Sequence, residues 1–150
     1  FLLLVLLLTV VGYFLFNYLR KWSLPKKQAE KESAKAAKPS QELALEAIGK
    51  IDPIEYFEKG KIKEFYFEIT DIVRQFLADN YHIDTLNKTS LEIIEEIERV
   101  ERDFTKVKEL DYYFSECDLV KFAKIRPGML EMKQKKTESE QIIREYFRHK

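Results

Sequence analysis

The chain has 150 residues and a formal net charge of zero; its single cysteine excludes an internal disulfide, and four glycines with four prolines argue against a turn-rich β fold and for helices. The zero hides an asymmetry, since Arg20 to Ser40 holds seven basic and two acidic residues, about +5, whereas Gln41 onward holds 19 basic and 24 acidic, about −5. An acidic domain behind a basic collar is poorly suited to general binding of phosphate backbones.

The chain opens on FLLLVLLLTVVGYFLFNYL, with no charged residue from Phe1 to Leu19. As a helix this run covers roughly 28 Å, close to the hydrocarbon thickness of a bilayer. A core helix of that kind needs more protein around it than the remaining chain supplies. A signal peptide needs a basic stretch first and a small-residue cleavage site after it, and YFLFNYLRKW offers no such site. The pattern therefore predicts a transmembrane helix over residues 1–21. Tyr18 and Trp22 suit the headgroup layer, and Arg20 and Lys21 favour a cytoplasmic location for the rest of the chain. Position 1 is Phe rather than Met, so a longer chain upstream is expected.

Residues 22–40 are rich in Lys, Ala, Glu and Ser, with no large apolar residue after Leu24. Such a segment cannot bury enough surface to offset its ordering entropy, so it reads as a basic linker. Its lysines would be drawn to anionic lipid by about 1 kcal/mol each near the surface.

Residues 41–150 predict an all-α cytoplasmic domain of about five helices. Leu43, Ala44, Ala47, Ile48 and Ile51 repeat at helical spacing. Asp52-Pro53-Ile54-Glu55 reads as a restart, with a capping Asp and Pro at the first helical position, and Gly60 can end the short helix. KIKEFYFEITDIVRQFLADNY comes next, its apolar face running from Ile62 through Leu77. Glu64, Glu68, Asp71 and Asp79 fall on the other side, and Phe67 sits among them, nearly opposite the apolar stripe. Thr89-Ser90-Leu91-Glu92 forms a capping box, opening a helix with Leu91, Ile94, Ile97 and Val100 on one face. Val107, Leu110, Phe114 and Cys117 make another stripe. At CDLVKFAK it widens, because Leu119, Phe122 and Ala123 point away from Leu110 and Cys117, and this turn is expected near the domain centre. MLEMKQKK has helix formers but no steady stripe. Thr137-Glu138-Ser139-Glu140 resembles a further capping box, opening a last helix with Ile142, Ile143, Tyr146 and Phe147 inward.

No chemistry stands out along this domain. His82 and His149 have no Cys or second His at ligand spacing, so no metal or cofactor is expected. Cys117 lies on an apolar stripe beside Asp118, a poor setting for a nucleophile. No Gly-rich phosphate loop or hydrolase motif occurs, and an enzyme is not expected.

Two stretches carry a family resemblance. EFYFEITDIVRQFLADNYHIDTLNKTSLEI has a Phe-Tyr pair opening a helix, an Arg and an aromatic-Leu pair after it, and a Thr-Ser-x-Glu cap on the next helix. DLVKFAKIRP closes the pattern. Both resemble the cytoplasmic C-terminal domain of BatD-like proteins from bacterial aerotolerance operons, over about Leu43 to Pro127. The resemblance implies a single-pass inner-membrane protein with strand-rich extracytoplasmic domains before the span. It also implies action alongside MoxR-type AAA+ ATPases and von Willebrand A domain membrane proteins. The function expected is that of a membrane-anchored scaffold. The residues offer two candidate partner surfaces: the acidic face of Glu64, Glu68 and Asp71 with Phe67, and Lys121 and Lys124 flanking Phe122, with the lysines at the rim of a core helix. The alternative is a membrane-tethered nucleic-acid-binding regulatory module built on the capped helix pair. Its would-be recognition helix reads LEIIEEIERVE, where acids dominate, and no nucleic-acid partner is expected.

Overall fold

Helix-forming signals recur along the domain, and every regular element among the described residues is a helix. The structure, a computed structural model, describes residues 39–85 and 87–146. The span predicted over 1–21, its flanking residues Tyr18, Arg20, Lys21 and Trp22, the linker up to residue 38, Phe147 and His149 lie outside the described residues. Among the described residues no helix is long and apolar enough to cross a membrane. Among the described residues there are six helices where about five were expected in the domain: α1 Ser40–Gly49, α2 Pro53–Glu58, α3 Ile62–Tyr81, α4 Ser90–Val100, α5 Phe104–Phe122 and α6 Met129–Glu145.

Local chemistry sets most of the helix ends. Asp52 accepts a hydrogen bond from the Ile54 amide at 2.9 Å, and Pro53 fills the first position of α2, where no N–H is needed. Gly60, at φ +67, turns the chain between α2 and α3. His82 ends α3 in the left-handed region, and its amide and that of Ile83 return to the Ala78 carbonyl. At α4 both arms of the capping box form. The Glu92 amide donates to Thr89 Oγ1 at 3.3 Å, and the Thr89 amide donates to Glu92 Oε2 at 2.7 Å. Asp103 caps α5 through the Thr105 amide at 3.0 Å.

α3 is the hub, packing against α1, α2, α5 and α6; α6 also meets α1 and α2, and α4 packs on α5. Its stripe of Phe65, Tyr66, Ile69, Val73, Phe76, Leu77 and Tyr81 is buried, as periodicity requires. Facing it are Ala44, Ile48 and Ile51, then Leu110, Tyr113, Phe114 and Cys117 of α5, then Met132, Ile142, Ile143 and Tyr146. A fully buried apolar side chain of this size contributes about 1.5–3 kcal/mol by leaving water. Polar ties fix the register. Gln41 donates to the Ile143 and Arg144 carbonyls at 3.2 Å each. Arg74 donates to the Lys88 carbonyl at 3.1 Å and the Ser90 hydroxyl at 2.7 Å, holding the start of α4 against α3.

Three expectations are corrected. The last helix begins at Met129, not at Thr137. Glu131 accepts from the Gly128 amide at 2.6 Å, which starts the helix early. The hydroxyls of Thr137 and Ser139 turn back to the Lys133 and Lys135 carbonyls instead of capping. On α4 the inner face is Ser90, Ile93, Ile94 and Ile97, while Leu91 and Val100 are exposed, because α4 packs on α5 along one side only. The end of α5 is not central: Leu119, Phe122 and Ala123 lie at the surface.

Candidate docking surface

Two of the residues singled out in sequence meet in space. Phe67, on the outer side of α3, and Phe122, in the last turn of α5, pack edge to face with ring centroids 5.9 Å apart at 87°. Phe122 remains 67% exposed and Phe67 37%. The reason for the pairing is Lys121. It is only 3% exposed, not a rim lysine as expected, and its ammonium lies 5.0 Å from the Phe67 ring centre and 5.3 Å from that of Phe122. The charge is met by Asp118 at 3.0 Å, one turn back on α5, and by the Thr70 hydroxyl at 3.4 Å. The Lys63 ammonium also lies near the Phe67 ring, 5.9 Å from its centre. A buried ammonium thus anchors two exposed rings in one arrangement.

The acidic residues do not share that surface as one face. Glu64 is exposed. Glu68 accepts a hydrogen bond from the Tyr56 hydroxyl of α2, and this bond, with burial, pushes the Tyr56 hydroxyl up to about 12. Glu68 and Asp71 line a shallow groove of about 500 Å³ shared with α1 and α2. Phe67 leans the other way, onto α5.

Lys124 comes just after the end of α5 with φ +61, exposed, and turns the chain away from the helix axis. Beyond it Ile125 and Arg126 complete a second groove of about 530 Å³ with Ile62, Lys63 and Val120. Sequence reasoning missed Lys63, Ile125 and Arg126 as site residues. The sequence shows only two separate short basic runs, Lys61 and Lys63 where α3 begins and Lys121, Lys124 and Arg126 at and just after the end of α5, and nothing in either run records that they meet.

The Cys117 thiol and the Tyr113 hydroxyl are packed away from solvent. Burial pushes the Cys117 thiol up to about 12, against the pull of Lys135 and Lys121. Tyr113 is fully buried, its hydroxyl 2.7 Å from Ser139 Oγ, and burial raises its pKa. His82 is an exposed helix terminus. Among the described residues no group of three or more His, Cys, Asp or Glu could hold a metal ion. Comparison with protein-family models, with characterised proteins and with solved structures returns no match to this chain.

Proposed function

We propose that the chain is a single-pass scaffold of the bacterial inner membrane whose cytoplasmic helical domain docks a partner protein and catalyses no reaction. The uncharged opening segment supports the membrane reading. The resemblance to BatD-like proteins supports the partner class, a MoxR-type AAA+ ATPase or a von Willebrand A domain membrane protein. The observation that carries docking is the Phe67–Phe122 pair, exposed yet held over a buried ammonium. An aromatic anchor that is already ordered loses little side-chain freedom when a partner covers it, and such anchors dominate interface energies. Confinement to the membrane then raises the effective concentration of anchor and partner, with the linker setting the reach.

The test is a photocrosslinking amino acid placed at Phe122 in cells producing the whole protein, with Leu91 as the exposed control position. Adducts with an ATPase or von Willebrand A protein at 122, and none at 91, are the expected result. Only solvent-quenched probe at 122, in a chain that stays with membranes through alkaline carbonate, would remove the docking reading. Release by carbonate would remove the anchor.

A further inference from the structure

We infer that the groove beside the aromatic pair takes a short acidic segment of the partner, with an aromatic or branched aliphatic side chain of that segment set against Phe122. This rests on the docking reading above and names the chemistry of what docks. The first argument is charge. Lys63, Lys124 and Arg126 line the groove and no carboxylate does. Among the described residues the side chains of Lys124 and Arg126 make no hydrogen bond or ion pair, and Lys63 meets only the Phe67 ring. The surrounding domain carries 24 acidic and 19 basic residues from Gln41 onward, so this is a basic island in an acidic surface. Such an island attracts a local negative segment while the rest of the surface repels negative bodies at large.

The second argument is shape. Ile62 and Val120 are largely covered and form an apolar floor, and Ile125 stands half exposed beside them. About 530 Å³ accepts a few side chains of one segment and is too small for the face of a folded domain. An anionic bilayer would touch the protruding Phe122 but leave the recessed floor empty, and it would repel a domain of about −5. A peptide satisfies floor and rim together: apolar side chains along it cover Ile62 and Val120 and lie against the neighbouring Phe122, and its carboxylates reach the unpaired cations.

The experiment uses the full chain in phosphatidylcholine nanodiscs as bait for a displayed library of random peptides. Enriched peptides are expected to be acidic with interspersed Phe, Leu or Ile. A resynthesised peptide should bind about tenfold or more weakly to Phe122→Ala and to Lys124→Glu/Arg126→Glu. A version of that peptide with Lys in place of its acids should recover binding to the charge-reversed protein, which no folding defect could produce. Enrichment of neutral or basic peptides, no enrichment, or indifference of acidic peptides to both variants would overturn the assignment. So would protection of Lys124 from amine labelling on phosphatidylglycerol discs alone, which gives the patch to lipid. Groove-dependent dimerisation without peptide would likewise give it to a second copy. If any of these occurs while crosslinks from Phe122 persist in cells, the groove chemistry is wrong and docking stands. Loss of the crosslinks removes docking itself.

Discussion

Two buried lysines on facing elements lead to opposite kinds of surroundings. Lys135 of α6 lies in the α5–α6 seam, with Glu116 and Glu138 each 2.6 Å from its ammonium and the Tyr113 ring at 5.3 Å. Lys121 of α5 has one carboxylate, Asp118, donates to the Thr70 hydroxyl, and turns its other faces to two aromatic rings at the surface. The first region closes its charge internally and joins two helices. Among the described residues the second has one anion within reach, and the rings beside it stay open to solvent. The same residue type thus makes a clamp in one place and a pedestal in the other, and the deciding quantity is how many acids the neighbouring helix turns supply.

Breaking the clamp should have the largest effect on stability. Lys135→Met leaves two carboxylates without their cation, and since both are partly exposed the loss is discounted to about 2 kcal/mol, measured as a lower urea midpoint. Titration sharpens the same point. Burial works against the Glu116 carboxylate, but hydrogen bonds from Lys135 and Tyr112 outweigh it, so its pKa lies below the usual glutamate range. That contribution is present above about pH 4.3 and is lost as pH falls through the lower folded value. Burial also opposes the charge on Lys135, but Glu116 and Glu138 hold its pKa above the ordinary lysine value. Its contribution is complete below about pH 10.4 and is lost as pH rises through the raised value. The stability gap between wild type and Lys135→Met should therefore be level across neutral pH and shrink at both extremes; a gap unchanged in acid would refute the clamp.

Removing the pedestal should do less to folding and more to binding. Lys121→Met loses one partly exposed ion pair and two ring contacts, about 1 kcal/mol, while crosslinking from position 122 should fall about tenfold as the rings lose their fixed arrangement. Equal loss of stability and crosslinking would make Lys121 a purely structural residue. The smallest effects separate backbone from side chain. His82→Gly and Lys124→Gly both relieve a left-handed residue and should each raise stability by about 0.5–1 kcal/mol in thermal unfolding. Only the second should weaken the acidic peptide, because only Lys124 lines the groove.

These regions differ also in how far they could be read from residues alone. The inward stripe of α3, the restart at Asp52-Pro53 and the box at Thr89 are local patterns, and they form as their spacing implies. The sequence puts the start of α6 at Thr137 rather than Met129 because the hydroxyls of Thr137 and Ser139 have two uses, as a cap or as a bond to the carbonyl one turn back. An intact helix from Met129 selects the second. The apolar character of Leu119, Phe122 and Ala123 predicts burial, but it does not say which side of α5 another helix covers. α4 and α6 leave that turn of α5 uncovered.

Periodicity, capping chemistry and charge counting were enough to determine an all-helical domain, the inward faces of α1, α3 and the first part of α5, and the net negative charge of the domain. These arise from contacts within a few residues along one helix. Only the tertiary structure decided that Lys121 is buried, that Phe67 and Phe122 share one surface, and that Lys63 faces Lys124 and Arg126 across a groove. Each of these joins α3 to the end of α5, and no repeat within a single helix records which turn of another helix will cover it.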